Sequence, residues 1–384
     1  MIRSVRNGEP IRSVAKRFRV SVGTVHFWVD RCRGQRLDRC DLDDHKSGAP
    51  RPWNRTSIGT ERRVLSIRRE LKERSVLGEY GAPTIQAAMH ERAHKLVPSV
   101  ATISRILVRH GAVDAGGRQR RPAPPRGWYL PAVAQGKAEL DSLDVIEDLK
   151  LKGGPLISVL TATSLHAGEV QAWPSEHVSA KSVLDCLIER WLELGLPSFA
   201  QFDNDTVFQG AHQWPDTIGR VSRLCLALGV IPVFAPPREP GFQNSIESFN
   251  GLWQAKVWQR FEFDDLPGLV AHSGHYIEAR RQRNAQRLEC APARRSFPTN
   301  FRFDPRERVH GTLIYLRRSD AKGRVQLLGH QLLVDSRWIN RLVRCEIHLD
   351  RSQIKCYALR RRAPSEHALL ATLPYCWPNK PFKG

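Results

Sequence analysis

Apolar side chains near the start of the chain recur at helical spacing in two short runs within residues 11–33. A polar turn separates the runs, and Ser21 stands where it can cap the second helix. The apolar face of the first helix is formed by Val14, Ala15 and Phe18, and that of the second by Val25, Phe27 and Trp28. This pattern predicts a helix-turn-helix that can present its second helix to DNA, with a small packing hairpin as the alternative.

A second helical unit is predicted farther along. Pro83 opens one helix, and Ser99 precedes another whose apolar stripe is formed by Val100, Ile103 and Leu107. The stripe would pack inward and leave basic residues outside. A DNA-reading helix and a purely packing helix both fit this arrangement.

From about residue 138 short apolar strands alternate with helices, which indicates an α/β sheet. Strands are expected at 156–160, 170–173, 199–202 and 230–235, and helices at 180–194 and 221–228. After residue 298 five short strands follow, separated by glycine or polar turns, and they predict a small β-barrel. These last strands are expected at 312–316, 325–328, 331–334, 342–348 and 354–359.

The chain is therefore expected to be multidomain, since 384 residues exceed the usual size of one domain. In chain order we predict a helix-turn-helix (1–33), a linker (34–56), a second helical DNA-binding unit (57–115), a linker (116–134), an α/β core (135–297) and a β-barrel domain for DNA binding or oligomerisation (298–384).

The net charge of the chain indicates which class of partner it binds. Lysine and arginine number 60 against 39 aspartates and glutamates, a formal net charge of +21. Such an excess attracts phosphate backbones by releasing condensed counterions, so nucleic acid is the expected partner, with a basic but ordinary soluble protein as the alternative. No apolar run approaches the ~18 residues of a membrane span. The eight cysteines form no Cys-x-x-Cys pair, which favours a reduced cytoplasmic setting.

Three carboxylates from separate segments carry the candidate chemistry. Asp203 directly follows an apolar strand, Asp141 lies on the first strand of the sheet, and Glu247 begins a helix. Ligands bind at the carboxyl ends of such strands, and hard carboxylate oxygens suit Mg²⁺. Each residue alone could simply cap a turn or favour a helix N-terminus. Asp144 rivals Asp141, because residues three apart on a strand face opposite sides and only one of them can reach the metal.

Two further acidic residues compete for places in this set. Asp205 could bind metal, but capping a turn is the role that we prefer for it. Glu239 is closer to Asp203 than Glu247 is, but it lies in a Pro-Pro-Arg-Glu-Pro run that cannot be helical. We therefore predict Asp141, Asp203 and Glu247 as catalytic residues and metal ligands.

These motifs resemble those of the insertion-sequence transposases in the retroviral-integrase superfamily, whose catalytic core has an RNase H-like fold and a DDE triad. The resemblance spans most of the chain and rests on three motifs: Asp141-Ser142, Asp203-Asn204 with Phe208, and Asn244 to Asn250 around Glu247. The chain departs from the family's pattern in having Asp205 where glycine is frequent. Glu247 also lies 44 residues after Asp203, a longer spacing than is common.

The resemblance implies a DNA transposase or integrase that uses two Mg²⁺ or Mn²⁺ ions to cleave 3′-ends and transfer strands. Its partners would be the double-stranded terminal repeats of a mobile element and a target DNA, bound by a homo-oligomer. The expected location is the prokaryotic nucleoid in the cytoplasm. The alternative is a domesticated or truncated copy that binds DNA and cuts nothing.

Candidate DNA contacts lie on the predicted helices. They are Ser21, Thr24, His26, Arg31, Arg105, Asn250 and Lys256. For Lys256 a solvated basic face is an equal explanation.

Other motifs carry no assigned role. His90 to His94 match a His-Glu-x-x-His zinc motif, but Pro98 follows closely and no further ligand is evident. His166, His177 and His212 receive no role, and the sequence has no Gly-x-Ser-x-Gly elbow or Walker loop.

Overall fold

The computed structural model describes residues 1–43, 56–113, 126–211, 214–239 and 241–378. Most of the first predicted linker and ten residues of the second (116–125) lie outside the described residues, as do His212 and Pro240. The chain divides into two compact units, Met1–Glu61 and Arg62–Gly384. No helix of the described ranges is both long and apolar enough to cross a membrane.

The helices run in this order: α1 (Ile2–Arg6), α2 (Ile11–Phe18), α3 (Val22–Arg31), α4 (Ile58–Arg74), α5 (Ala82–Glu91), α6 (Val100–Arg109), α7 (Pro131–Ala134), α8 (Ala180–Leu194), α9 (Thr206–Gln209), α10 (Arg220–Ala227), α11 (Asn244–Trp253) and α12 (Leu266–Glu289). Short 3₁₀ turns lie at Leu37–Arg39 and Leu349–Arg351, and a π-helical turn, Gln254–Trp258, extends α11.

The strands are β1 (Leu140–Lys150), β2 (Leu156–Ser164), β3 (Val170–Ser175), β4 (Phe199–Phe202), β5 (Ile231–Phe234), β6 (Thr312–Arg318), β7 (Arg324–Leu327), β8 (His330–Leu333), β9 (Leu342–His348), β10 (Gln353–Ala358) and β11 (Leu369–Pro374).

The first unit is built on the predicted pair of helices, α2 and α3. The Ser21 hydroxyl accepts a hydrogen bond from the Thr24 backbone N–H at 3.0 Å, which caps α3. Val14 and Val25 are fully buried where the two helices meet. Phe27, which the spacing placed on the inner face, is instead 57% exposed.

Helices α4 to α6 pack around their own small core, in which Val64, Ile85 and Ile103 are fully buried. Helix α5 ends at Glu91. His94 therefore lies beyond the helix, and the His-x-x-x-His face that zinc would require does not form.

Nine strands of the described residues form one sheet, in the order β11-β10-β9-β6-β5-β4-β1-β2-β3. Strands β1, β4, β5 and β6 run parallel, and the remaining pairs are antiparallel. The described architecture is thus mixed α/β with a large central sheet, and the parallel carboxyl ends of β1, β4 and β5 meet at one edge.

Helices cover the two faces of this sheet, and the alternation along β1 shows which residue faces which layer. Leu143 packs with Trp191 of α8, whereas Ile146 packs with Ile246 of α11. Since side chains alternate along a strand, Asp141 shares the face of Leu143, and Asp144 shares the face of Ile146.

Helix α8 begins with a capping box. The Ser179 hydroxyl accepts from the Ser182 backbone N–H at 3.2 Å, and the Ser182 hydroxyl accepts from the Ser179 backbone N–H at 2.8 Å. We expect Ser179→Ala to lower the free energy of unfolding by about 1 kcal/mol, the usual cost of losing such a cap. Urea unfolding measures it, with Ser336→Ala, a change at an exposed serine outside α8, as control. Equal midpoints for both variants would contradict the assignment.

The C-terminal strands differ from the separate β-barrel predicted for residues 298–384. Strand β6 pairs in parallel with β5, with Val233 opposite Ile314, and β9, β10 and β11 extend the same sheet. Tyr315 and Val343 are buried in the core that also holds Phe234. The open edge of β5 explains the difference, because an unpaired strand edge accepts further strands. Only β7 and β8 form a separate hairpin among the described strands.

Candidate active site

The register of the sheet brings Asp144 and Asp203 together. Ser142 of β1 pairs with Gln201 of β4 in a parallel ladder. Two residues farther along each strand come Asp144 and Asp203, which point to the same face as Ser142 and Gln201. Neighbouring strands lie only about 4.8 Å apart, so the two aspartates are neighbours at the carboxyl end of β4.

A tight turn after β4 holds Asp203. Its carboxylate accepts a hydrogen bond from the Asp205 backbone N–H at 3.0 Å. The adjacent Asn204 side chain donates to the Ala235 carbonyl at 2.7 Å, which ties the end of β4 to the end of β5. Phe208 of the short helix α9 is fully buried and stacks on Phe202 of β4, and this contact holds the turn in place.

Helix α11 supplies the third carboxylate. Glu247 lies in its first turn and is exposed, and Asn250 follows one turn later and is buried. The Asn250 amide donates to Asp144 at 2.8 Å and accepts from the Thr161 hydroxyl at 2.8 Å. Because Glu247 and Asn250 share a helical face, this bridge directs Glu247 toward the two aspartates.

The charges of these groups act on one another. Burial raises the pKa of Asp144 to about 6, and the charges of Asp203 and Glu247 add to the rise against hydrogen bonds from Val145 and Asn250. Burial also raises the pKa of Asp203.

Asp141 does not join this group. It is fully buried and accepts from Arg190 at 3.0 Å, Arg294 at 2.5 Å, Ser164 at 2.8 Å and Trp191 at 3.2 Å. Burial would raise its pKa, but the charges and hydrogen bonds of Arg190 and Arg294 outweigh burial and hold the pKa well below its usual value. We predicted Asp141 as the first metal ligand. The structure corrects this prediction, because Asp141 lies on the face of β1 that packs against α8, where its oxygens already accept hydrogen bonds from two guanidinium groups.

The two other acidic candidates also have partners. Glu239 lies outside the helix and forms ion pairs with Arg318 and Arg361, and its hydrogen bond from Arg318 lowers its pKa. Asp205 caps α9, accepting from the Val207 backbone N–H at 2.8 Å. Capping was the role that we preferred for Asp205.

Two predicted DNA contacts are engaged inside the protein. Asn250 bridges Asp144 and Thr161, and Lys256 donates to the Gly78 carbonyl at 3.0 Å. The π-helical turn after α11 directs the Lys256 ammonium group to the segment after α4, and contact of Lys256 with DNA stays a prediction.

The remaining candidates lie on helices α3 and α6 or at their caps. Ser21, His26 and Arg105 are exposed, and Thr24 is half-buried. Arg31 lies over the Trp28 ring and 3.4 Å from Asp41.

Arg190 and Arg294, the residues that neutralise Asp141, were not predicted from the sequence. Arg190 is fully buried although it lies on an otherwise apolar face of α8. An arginine in such a position signals an internal acidic partner, but which of Asp141 and Asp144 is that partner follows only from the packing. Glu147 was also missed, and its charge raises the pKa of Asp203.

The donor set suits a hard divalent cation. In the described ranges no three His, Cys, Asp or Glu side chains form a ready-made metal site. Asp144, Asp203 and Glu247 form a looser cluster of carboxylates whose charges raise the pKa of Asp144. A cation would relieve this repulsion, and carboxylate oxygens are the ligands that Mg²⁺ and Mn²⁺ prefer.

No family model matches the chain. Its structural neighbours include the catalytic core domain of BIV integrase, with 18% identity over 36% of this chain and 81% of that one, at a TM-score of 0.28. A chain of the simian T-cell lymphotropic virus intasome in complex with PP2A regulatory subunit B56 gamma has 14% identity over 76% of this chain and 92% of that one (TM-score 0.32). The HTLV-2 integrase catalytic core domain in complex with magnesium has 13% identity over 37% and 83% (TM-score 0.28). TM-scores this low assign neither fold nor function, which rest on the chain's own topology and contacts.

Proposed function

We propose that this protein is a divalent-metal-dependent DNA strand transferase of the transposase or integrase type, with Asp144, Asp203 and Glu247 as its catalytic carboxylates. One observation carries the proposal: the register and the Asn250 bridge place Asp144 where it interacts electrostatically with both Asp203 and Glu247. The trio thus keeps Asp203 and Glu247 from the sequence-based set and takes Asp144 in place of Asp141.

Two Mg²⁺ or Mn²⁺ ions in such a cluster would activate a water or a 3′-hydroxyl and offset the charge that grows on the phosphate. The protein's part is to hold the ligands in place. Asn250 fixes the orientation of Asp144, and the Asp205 backbone N–H fixes Asp203. Glu247 is exposed on the first turn of α11, so its side chain can rotate to complete the cluster.

The N-terminal unit supplies the proposed grip on DNA. The half-buried Thr24 and the exposed His26 lie on α3, the second helix of the helix-turn-helix, and such helices read the major groove. In the second unit, Arg105 is exposed on α6 and can contact phosphate. The partners would be double-stranded terminal repeats and target DNA at the prokaryotic nucleoid. A homo-oligomer would hold two ends.

Cleavage of labelled DNA tests the proposal. Purified protein is incubated with Mn²⁺ and a labelled duplex that carries the repeats flanking its own gene. We expect Asp203→Asn and Glu247→Gln to lower the rate by at least about 10²–10³-fold, as when one group that stabilises transition-state charge is removed.

Asp148→Asn is the matched control, because Asp148 is an exposed carboxylate on the same strand as Asp144. It should cut like the wild type. If the wild type binds the duplex and leaves it uncut at the level of both variants, the protein is a DNA-binding protein without the transferase activity, and the proposal is wrong.

A further inference from the structure

A cavity of about 440 Å³ lies beyond the carboxyl ends of β4 and β5. Its lining includes Asn204, Gln209, Trp214, Pro237, Arg317 and Arg318. Asn204 directly follows Asp203, so the cavity adjoins the acidic cluster along the same edge of the sheet. Its volume lies in the range of small-molecule sites.

The chemistry of this cavity centres on Arg317, which is only 9% exposed. Its guanidinium group donates to the Asn204 side-chain oxygen at 2.9 Å, the Leu316 carbonyl at 2.9 Å and the Gln326 carbonyl at 3.3 Å. All of these acceptors are neutral. Across the described residues no carboxylate forms an ion pair with Arg317, whereas the fully buried Arg190 is paired with Asp141.

A buried cation without a counter-charge is destabilising, because no opposite charge offsets the free energy of its desolvation. Burial accordingly lowers the pKa of Arg317. An anion in the cavity would supply the missing charge, and a phosphate matches the guanidinium fork in shape.

Two other residues that line the cavity indicate a ligand larger than a simple anion. Gln209 is 8% exposed, and its side-chain oxygen has no hydrogen-bond partner within the described ranges, so it is available to an N–H donor. Trp214, also on the lining, is 66% exposed and offers a ring face. A phosphate site, an N–H acceptor and an aromatic face together match a nucleotide, whose base can stack and donate.

We propose that this cavity, the Arg317 cavity, binds one nucleotide of an unpaired DNA strand: its phosphate at Arg317, its base N–H at Gln209 and its base face on Trp214. An unpaired strand is required because a base inside a duplex cannot present its face to a side chain. The inference rests on the proposed function for the identity of the ligand as DNA. The binding itself requires no metal and no cleavage.

Fluorescence anisotropy in EDTA tests the Arg317 cavity apart from catalysis. The probes are a labelled blunt duplex and the same duplex with a five-nucleotide single-stranded overhang. We expect the wild type to bind the overhang form about 10-fold more tightly, within the range of one stacked base. Trp214→Ala and Arg317→Gln should bring the two affinities together without weakening binding of the blunt duplex. Arg317→Lys, which keeps the charge, should retain part of the preference.

Arg337→Gln is the matched control, since it removes the same charge from a side chain that is 91% exposed outside the cavity. Its preference should equal that of the wild type. Trp214 is exposed, so Trp214→Ala decides the outcome even if a change at the buried Arg317 impairs folding. Equal wild-type affinity for both probes, or a preference that survives Trp214→Ala, would overturn the proposal. If the protein fails to cleave DNA but keeps its preference for the overhang probe, only the proposed transferase function is wrong.

Discussion

Asp144→Asn is expected to abolish metal-dependent DNA cleavage, lowering the rate by about 10³-fold or more, and at the same time to make the metal-free protein more stable. The gain arises because Asp144 ionises in a partly buried site near two other acidic groups, which raises its pKa to about 6. Asparagine has no charge and keeps an oxygen that can accept from the Asn250 amide, which lies 2.8 Å from the native carboxylate.

The pH dependence of that gain has a defined sign. An unfolded aspartate has a pKa of about 3.9. Below that pH Asp144 is protonated in both states, so its ionisation does not lower the free energy of unfolding. The penalty grows as the pH rises toward about 6 and is complete above it. At pH 7 we therefore expect Asp144→Asn to gain roughly 1–3 kcal/mol, with no gain near pH 4.

Urea unfolding in EDTA at the two pH values measures this gain, with the exposed Asp148→Asn as control. Stabilisation that is absent at pH 7, or equal at both pH values, would show that Asp144 carries no electrostatic strain. If the Asp144→Asn variant still cleaves DNA, Asp144 is not a catalytic residue.

Asp141→Asn is expected to act in the opposite way, lowering the free energy of unfolding by about 3–5 kcal/mol, the cost of breaking a buried ion pair by removing one partner. It would leave the fully buried Arg190 without its counter-charge. Since Arg190 and Arg294 hold the native pKa of Asp141 below its usual value, its contribution is present above about pH 4 and is lost as the pH falls toward the native pKa.

A double-mutant cycle with Arg190→Leu separates the pair from other effects. The double variant Asp141→Leu/Arg190→Leu should lose less stability than the sum of the two single changes, because no unpaired charge remains. Additive losses would mean that the two side chains do not stabilise one another.

The sequence predicted much of the central sheet because its signals are local. The helix at 180–194 and the strands at 199–202 and 342–348 have the predicted bounds. The choice between Asp141 and Asp144 was harder, since both lie on one strand and the sequence does not show which face each helix covers. Arg190 and Arg294, the residues that neutralise Asp141, come from distant segments, and only the packing brings them to it.

The C-terminal strands show a similar limit. Alternating apolar and polar residues predict half-buried strands whether those strands close a barrel or extend a larger sheet. The parallel pairing of Val233 with Ile314 decides for extension. Lys256 is a further example, because its charge was visible in the sequence while its contact with the Gly78 carbonyl was not.

Mn²⁺ binding measured by titration calorimetry tests the central claim most directly, because it needs neither the correct DNA nor turnover. Wild type should bind Mn²⁺, and Asp144→Asn and Asp203→Asn should each weaken binding by more than about 10-fold, since even partners of metal ligands contribute that much. Asp148→Asn should bind as wild type does. Unchanged Mn²⁺ affinity in both Asp144→Asn and Asp203→Asn would contradict the assignment of this cluster as the metal site.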